Sequence, residues 1–144
     1  MTTEARTDPA AFQTALEQAI QPWQLGLSAQ QVQQLGTHYQ AMVEANGVMN
    51  LTRIVDPVEA AVKHYADSLA LVHWSRVRGV AVQSVLDVGT GAGFPAVPVA
   101  VARPDWQVVA LDGTNKKIDF LTRSASATGL SNLTAVHAHS AHWG

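Results

Sequence analysis

The 144-residue sequence contains no cysteine, which excludes disulfide bridges and thiolate metal sites. Charged residues make up only 14% of the chain and its formal net charge is −2. The overall charge therefore does not indicate nucleic acid binding. The sequence also lacks an apolar run long enough to span a membrane, and its first residues lack the apolar core of a signal peptide. These absences predict a cytoplasmic protein with no membrane partner, in which any RNA would have to contact a local patch.

Hydrophobic residues, by contrast, form 47% of the chain, which is enough for the core of a single domain over residues 1–144. Helix signals dominate its first part. Three helix N-termini are indicated by a capping residue followed by proline or glutamine: Asp8 with Pro9, Ser28 with Gln31, and Asp56 with Pro57. Apolar residues at helical spacing follow each of them, and the helix that begins after Ser28 is predicted to end at Asn46-Gly47. We therefore predict a helical region over residues 1–80.

Residues 81–144 alternate between strand and helix patterns. Strands are predicted at 84–88, 106–111 and 133–138, and helices at 95–102 and between Thr114 and Gly129. Strands that alternate with helices form parallel sheets with right-handed crossovers. The predicted fold class is α/β: an N-terminal helical segment followed by the cofactor-binding first half of a Rossmann-like parallel sheet, with three strands present.

A glycine-rich loop follows the first predicted strand, in the stretch "SVLDVGTGAGFP". Gly89, Gly91 and Gly93 are spaced one residue apart, whereas a dinucleotide site has the spacing G-x-G-x-x-G. Asp87 would repel a pyrophosphate but attract a cation. S-adenosylmethionine carries a sulfonium and an ammonium group, so the pattern favours this cofactor over NAD.

A second acidic residue, Asp112, ends the next predicted strand, where a carboxylate can accept hydrogen bonds from both ribose hydroxyls of a cofactor. NAD sites place an acid similarly, and Asp112 could also be only a helix-capping residue before Thr114. An NAD-binding oxidoreductase fragment therefore stays open as an alternative. So does a catalytically silent fragment that is structural or only binds the cofactor.

Three blocks of the sequence resemble the RsmG (GidB) family: "NLTRIVDPVEAAVKHYADSLAL", "LDVGTGAGFPAVPVAVARPDW" and "LDGTNKKIDFL". The resemblance extends from about Asn50 to Trp143. Members of this family methylate the N7 ring nitrogen of a guanine in small-subunit ribosomal RNA. The resemblance therefore implies a methyltransferase with S-adenosylmethionine as its cofactor and ribosomal RNA as its partner.

The resemblance also implies roles for individual residues. The family's cofactor-binding positions correspond to Asp87, Gly89, Gly91, Gly93, Phe94 and Asp112, and to the backbone of Ser140 and Ala141. Its substrate or pocket positions correspond to Asn50, His64, Asp67, Lys116 and Lys117. His139, Ala141 and His142 stand where the family has charged residues beside the adenine, which puts that contact in doubt. The lysine pair could also form only a solvated helix face, and His64 with Asp67 could only secure a helix against the sheet.

Neither a metal site nor a proton-transferring residue is predicted. His137, His139 and His142 have no evident fourth metal ligand nearby, and guanine N7 already carries a lone pair and no proton, so its methylation needs no general base. Family members continue through further strands. We therefore expect a chain shortened at its C-terminus and feebly active alone, which self-associates through the unpaired edge of strand 84–88.

Overall fold

The computed structural model describes residues 8–138. Helices form the first part: α1 (Pro9–Ile20), α2 (Ala29–Met49), α3 (Pro57–Ala60) and α4 (Asp67–Arg78). The backbone of Ala61–Ala66, between α3 and α4, is a wider π-helical segment that the sequence did not indicate. No helix among these residues has the length and apolar character that a membrane span requires.

The three predicted helix N-termini are confirmed. The side chain of Asp8 accepts hydrogen bonds from the first turn of α1, and that of Asp56 accepts one from the N–H of Glu59. Ser28 and Gln31 form a reciprocal capping box at the start of α2. The predicted end of α2 at Asn46-Gly47 is wrong, because the helix continues to Met49 and ends at Asn50, which has a φ of 49°.

The second part of the chain is a three-stranded parallel sheet in the order β1-β2-β3. Its strands are β1 (Ser84–Val88), β2 (Gln107–Asp112) and β3 (Leu133–His137). Helix α5 (Ala96–Ala102) connects β1 to β2, and α6 (Asn115–Thr128) connects β2 to β3. The predicted α/β class, with a helical segment before three parallel strands, is confirmed. The second and third strands differ from their predicted bounds by one residue.

The helices cover one face of the sheet. Helix α2 packs against α5 and α6, and its Gln31 and Gln34 donate hydrogen bonds to the carbonyls of Val101 (3.0 Å) and Thr128 (2.7 Å). Because side chains alternate along a strand, Asp87 of β1 is buried, whereas Leu86 and Val88 on the opposite face are 49% and 54% exposed. The parallel strands place the carboxyl ends of β1 and β2 at the same edge, next to the glycine loop.

Candidate functional site

Hydrogen bonds within the protein hold the glycine loop after β1 against the end of β2. The N–H groups of Gly89 and Thr90 donate to the carbonyl of Leu111, at 2.8 and 3.0 Å. The N–H groups of Gly93 and Phe94 donate to the carbonyl of Thr90, at 3.0 and 3.1 Å. The loop is therefore a closed turn in which most of the amides already have partners.

Gly91 and Gly93 both have positive φ, at 59° and 108°, which favours glycine. Their surroundings differ. A Cβ at Gly93 would lie 2.6 Å from a methyl of Val97 and 2.7 Å from a methyl of Leu121, so packing excludes a side chain there. A Cβ at Gly91 would have no neighbouring atom within 4 Å. The Gly91 side of the loop is therefore the side that a ligand can approach.

Asp87 lies under the loop and is 7% exposed. Its Oδ2 atom accepts hydrogen bonds from the hydroxyl of Thr90 (2.6 Å) and from the N–H of Ala96 (3.1 Å). Burial raises the pKa of Asp87, the two hydrogen bonds oppose this, and the nearby negative charge of Asp112 adds to it. An ionised Asp87 is thus costly in this buried position, and a cation nearby would offset that cost.

Asp112 ends β2 and binds both the loop and the start of the next helix. Its Oδ2 atom accepts a hydrogen bond from the N–H of Gly91 (3.0 Å), and its Oδ1 atom accepts one from the N–H of Thr114 (2.9 Å). Burial alone would raise the pKa of Asp112, but these hydrogen bonds and the charge of Lys117 outweigh burial and lower it. Each carboxylate oxygen can accept a further hydrogen bond, which leaves room for ribose hydroxyls.

Two predicted site residues form a stacked pair beside the loop. The rings of His64 and Phe94 are 4.5 Å apart at an angle of 8°, and both side chains are half-buried. Nε2 of His64 is 2.7 Å from the hydroxyl oxygen of Thr52. Burial lowers the pKa of His64, although the charge of Asp67 opposes this. Asp67 itself is exposed.

The remaining predicted residues are spread around the site. Asn50 is exposed at the end of α2, and Lys116 is exposed in the first turn of α6. Lys117 lies close enough to Asp112 to affect its pKa. Ser140 and Ala141, with His139 and His142, lie outside the described residues. Within residues 8–138, His, Asp and Glu side chains nowhere group in threes that could hold a metal ion.

One residue that contacts the loop from inside the protein was not predicted from the sequence. His38 of α2 is fully buried, and its Nε2 atom lies 2.8 Å from the carbonyl oxygen of Ala92. Its Nδ1 atom lies 2.7 Å from the hydroxyl oxygen of Tyr65. The available signal was its position among apolar residues at helical spacing, between Leu35 and Met42, which predicts burial without indicating its partner.

Parallel strands joined by helices, a glycine loop after the first strand and an acidic residue at the end of the second define a Rossmann-like α/β protein. The sequence profile of the GidB family, described as rRNA small subunit methyltransferase G, matches residues 31–142. The chain therefore belongs to the rRNA small subunit methyltransferase G (GidB) family.

Individual relatives agree with this assignment. A protein of Desulforamulus reducens named "Ribosomal RNA small subunit methyltransferase G" is 38% identical over 122 residues, which cover 85% of this chain and 50% of the relative. Proteins of the same name from Thermosynechococcus vestitus and Psychrobacter cryohalolentis are 43% and 41% identical, over 78% and 89% of this chain and 54% and 53% of their own lengths. The chain spans about half the length of these curated relatives.

Proposed function

We propose that this chain binds S-adenosylmethionine and supplies the cofactor-binding part of a methyltransferase that acts on guanine N7 of small-subunit ribosomal RNA. Family membership supports the reaction class, and the name of the relatives supports the RNA. In this proposal Asp112 accepts hydrogen bonds from the cofactor's ribose, and Gly91 gives the cofactor access to the loop. The charge of Asp87 favours the cationic methionine end.

The hydrogen bonding of the loop is the observation that carries the choice of cofactor. A pyrophosphate needs several free N–H donors at a glycine loop and helix N-terminus. Here the N–H groups of 89–91, 93, 94, 96 and 97 all donate to acceptors within the protein, and residue 95 is a proline. Two carboxylates stand beside them. Such a loop suits a cofactor that is cationic and lacks phosphate, and it disfavours NAD.

The proposed reaction needs positioning and no proton transfer by the protein. When bound, S-adenosylmethionine would supply an electrophilic methyl group for the lone pair of guanine N7, from which no proton has to be removed. Burial lowers the pKa of His64, which favours its uncharged form. The stacked pair of His64 and Phe94 therefore presents a neutral surface next to the loop, which does not repel the sulfonium.

Calorimetric titration separates the two cofactors. We expect saturable binding of S-adenosylhomocysteine to the chain and no binding of NAD at the same concentrations. Saturable NAD binding without S-adenosylhomocysteine binding would contradict the proposal and favour the oxidoreductase alternative.

A transfer assay addresses the reaction and the RNA. The chain is incubated with methyl-labelled S-adenosylmethionine and small ribosomal subunits, and N7-methylguanine is detected by strand scission at the methylated base. Label at a guanine N7 supports the complete proposal. Cofactor binding without transfer under any subunit or salt condition would instead favour the catalytically silent alternative.

We also propose that the outer edge of β1 pairs with a second copy of the chain. Among the described residues β1 pairs only with β2, and its side chains Leu86 and Val88 are about half exposed. Free backbone groups beside apolar side chains favour pairing with another strand.

Sedimentation should show concentration-dependent association that Val88→Lys abolishes. Val48→Lys is the control, since Val48 is 86% exposed and lies on α2; a monomer at all concentrations contradicts the proposal.

A further inference from the structure

His38 links the helical region to the middle of the glycine loop. It lies on α2 with no solvent exposure, and its two ring nitrogens contact groups on two other segments. Nδ1 is 2.7 Å from the hydroxyl oxygen of Tyr65, and Nε2 is 2.8 Å from the carbonyl oxygen of Ala92. Ala92 stands between Gly91, whose side is open, and Gly93, whose side is packed. The contact is therefore made from the protein interior to the loop's centre.

The partners of His38 determine its tautomer. A carbonyl oxygen can only accept, so Nε2 carries the proton and donates to Ala92. In the neutral ring Nδ1 then accepts, and the hydroxyl of Tyr65 donates to it. Burial lowers the pKa of His38 to about 4, and burial raises that of Tyr65. Both side chains are neutral at pH 7. The imidazole, the hydroxyl of Tyr65 and the carbonyl of Ala92 thus all have hydrogen-bond partners in the interior.

Neighbouring rings restrict the orientation of the imidazole. Tyr65, Phe94 and Phe120 have ring centroids 5.7, 5.5 and 5.9 Å from that of His38. A Cβ at Gly93 would be 3.5 Å from Nε2, so the loop backbone lies directly against the ring. A fixed ring holds the carbonyl of Ala92 pointing inward. On the other side of the same loop, Asp112 holds the N–H of Gly91.

We infer that His38, oriented by Tyr65, is a positioning residue that holds the Ala92 carbonyl inward and thereby keeps the Gly91–Gly93 backbone in the shape that the cofactor binds. The function of the inferred link rests on the proposed cofactor site. The link acts on the loop and touches no cofactor atom. Its loss leaves Asp87 and Asp112 in place and loosens only the backbone between them.

Three substitutions separate positioning from simple packing. The amide of glutamine reaches the place of Nε2, so His38→Gln keeps a donor for Ala92. The amide of asparagine reaches only the place of Nδ1, so His38→Asn keeps a partner for Tyr65 and leaves the Ala92 carbonyl without one. Tyr65→Phe removes only the hydroxyl that orients the ring. In calorimetry with S-adenosylhomocysteine, we expect His38→Asn to lose about tenfold or more in affinity, Tyr65→Phe about threefold, and His38→Gln less than either.

Two measurements without ligand test the link itself. Imidazole ¹⁵N shifts of the wild-type chain at pH 7 should show the tautomer protonated at Nε2. Amide hydrogen exchange should be faster at Ala92 and Gly93 in His38→Asn than in His38→Gln, with no difference at Thr128 at the end of α6. If the wild-type chain does not bind S-adenosylhomocysteine, the proposed function fails, while these measurements still decide whether the link exists.

Equal affinity and equal loop exchange in His38→Asn, His38→Gln and the wild type would overturn the inference. A ring protonated at Nδ1 would overturn it as well. If His38→Asn does not fold, Tyr65→Phe and His38→Gln carry the test. The link is supported if amide exchange at Gly93 is faster in Tyr65→Phe than in the wild type and unchanged in His38→Gln. Unchanged exchange at Gly93 in Tyr65→Phe rejects the link.

Discussion

Two aspartates near the carboxyl ends of β1 and β2 lie beside the same loop, and their surroundings shift their pKa values in opposite directions. Asp87 of β1 is buried under the loop, and burial raises its pKa despite two hydrogen bonds. Asp112 of β2 is also largely buried, but backbone donors and Lys117 outweigh burial and lower its pKa. The difference lies in the donors: one oxygen of Asp87 accepts both of its hydrogen bonds, whereas each oxygen of Asp112 accepts one from a backbone N–H.

Two aspartates near the carboxyl ends of neighbouring strands can therefore have different roles. Asp112 stabilises the loop through hydrogen bonds from backbone N–H groups, and its lowered pKa favours the charged form. The surroundings of Asp87 solvate its charge poorly, which is an arrangement that a cationic ligand improves. Removal of Asp112 should therefore damage both fold and binding, and removal of the charge of Asp87 should damage binding alone.

The largest effect is expected for Asp112→Ala. The variant loses the proposed ribose acceptor and leaves the N–H of Gly91 without its partner, so affinity for S-adenosylhomocysteine should fall by about 1–3 kcal/mol. Thermal stability should fall as well. Asp105→Ala is the control, because Asp105 is an exposed carboxylate paired with Arg103. Calorimetry and melting curves measure both effects, and wild-type affinity in folded Asp112→Ala would refute the role of Asp112.

Gly91→Ala tests the space between the two carboxylates. Gly91 has a φ of +59° and Gly79 one of +66°, and a Cβ at either would meet nothing within 4 Å. Each alanine should therefore cost about 1–2 kcal/mol of stability from backbone strain. Only Gly91→Ala should also weaken binding of S-adenosylhomocysteine, by about tenfold at equal stability. Equal affinities in the two variants would place the ligand elsewhere.

Asp87→Asn removes the charge and keeps an acceptor for Thr90 and Ala96. Because the folded pKa of Asp87 is raised above 3.8, its stabilising contribution is present below pH 3.8 and lost as the pH rises through the folded value. The variant should thus melt at or above the wild-type temperature at pH 7, and lose this advantage at pH 3.5. Affinity for S-adenosylmethionine should fall about threefold to tenfold. A variant less stable than wild type at pH 7 would show that the charge supports the fold.

The pKa of Asp112 predicts the reverse dependence. Its folded pKa is lowered, so its contribution is present above pH 3.8 and lost as the pH falls through the folded value. The stability difference between wild type and Asp112→Ala should therefore shrink on acidification. The same melting series measures it, and a difference that grows at low pH would contradict the assignment.

The smallest effect is expected for Lys116→Ala, beyond the cofactor site. Lys116 is exposed at the start of α6, so its loss should leave S-adenosylhomocysteine binding unchanged. If it contacts an RNA phosphate, the slope of log affinity for RNA against log salt should decrease by about 1. Lys63→Ala is the control, since Lys63 forms an ion pair with Glu59 and both residues lie in the helical region, outside α6. Equal slopes in the two variants would remove Lys116 from the RNA contact.

Local signals in the sequence were sufficient for most of the fold. Capping residues with proline or glutamine determined the three helix starts, and the alternation of strand and helix patterns determined the parallel sheet. The predicted end of α2 at Asn46-Gly47 was wrong because a glycine within a helix costs only about 1 kcal/mol. Packing of Ala45 and Met49 against the core offsets that cost. The π-helical segment left no sequence signal that we recognised.

The sequence by itself also predicted that Asp87, the three glycines and Asp112 come together, since their spacing places them near the carboxyl ends of adjacent strands. Only the tertiary structure decided what they do there. The hydrogen bond of Asp112 to Gly91 joins residues 21 apart in the chain, and that of His38 to Ala92 joins residues 54 apart. Such contacts depend on how helices and strands pack, because residue type and spacing specify an element and its buried face but not the distant group that this face meets.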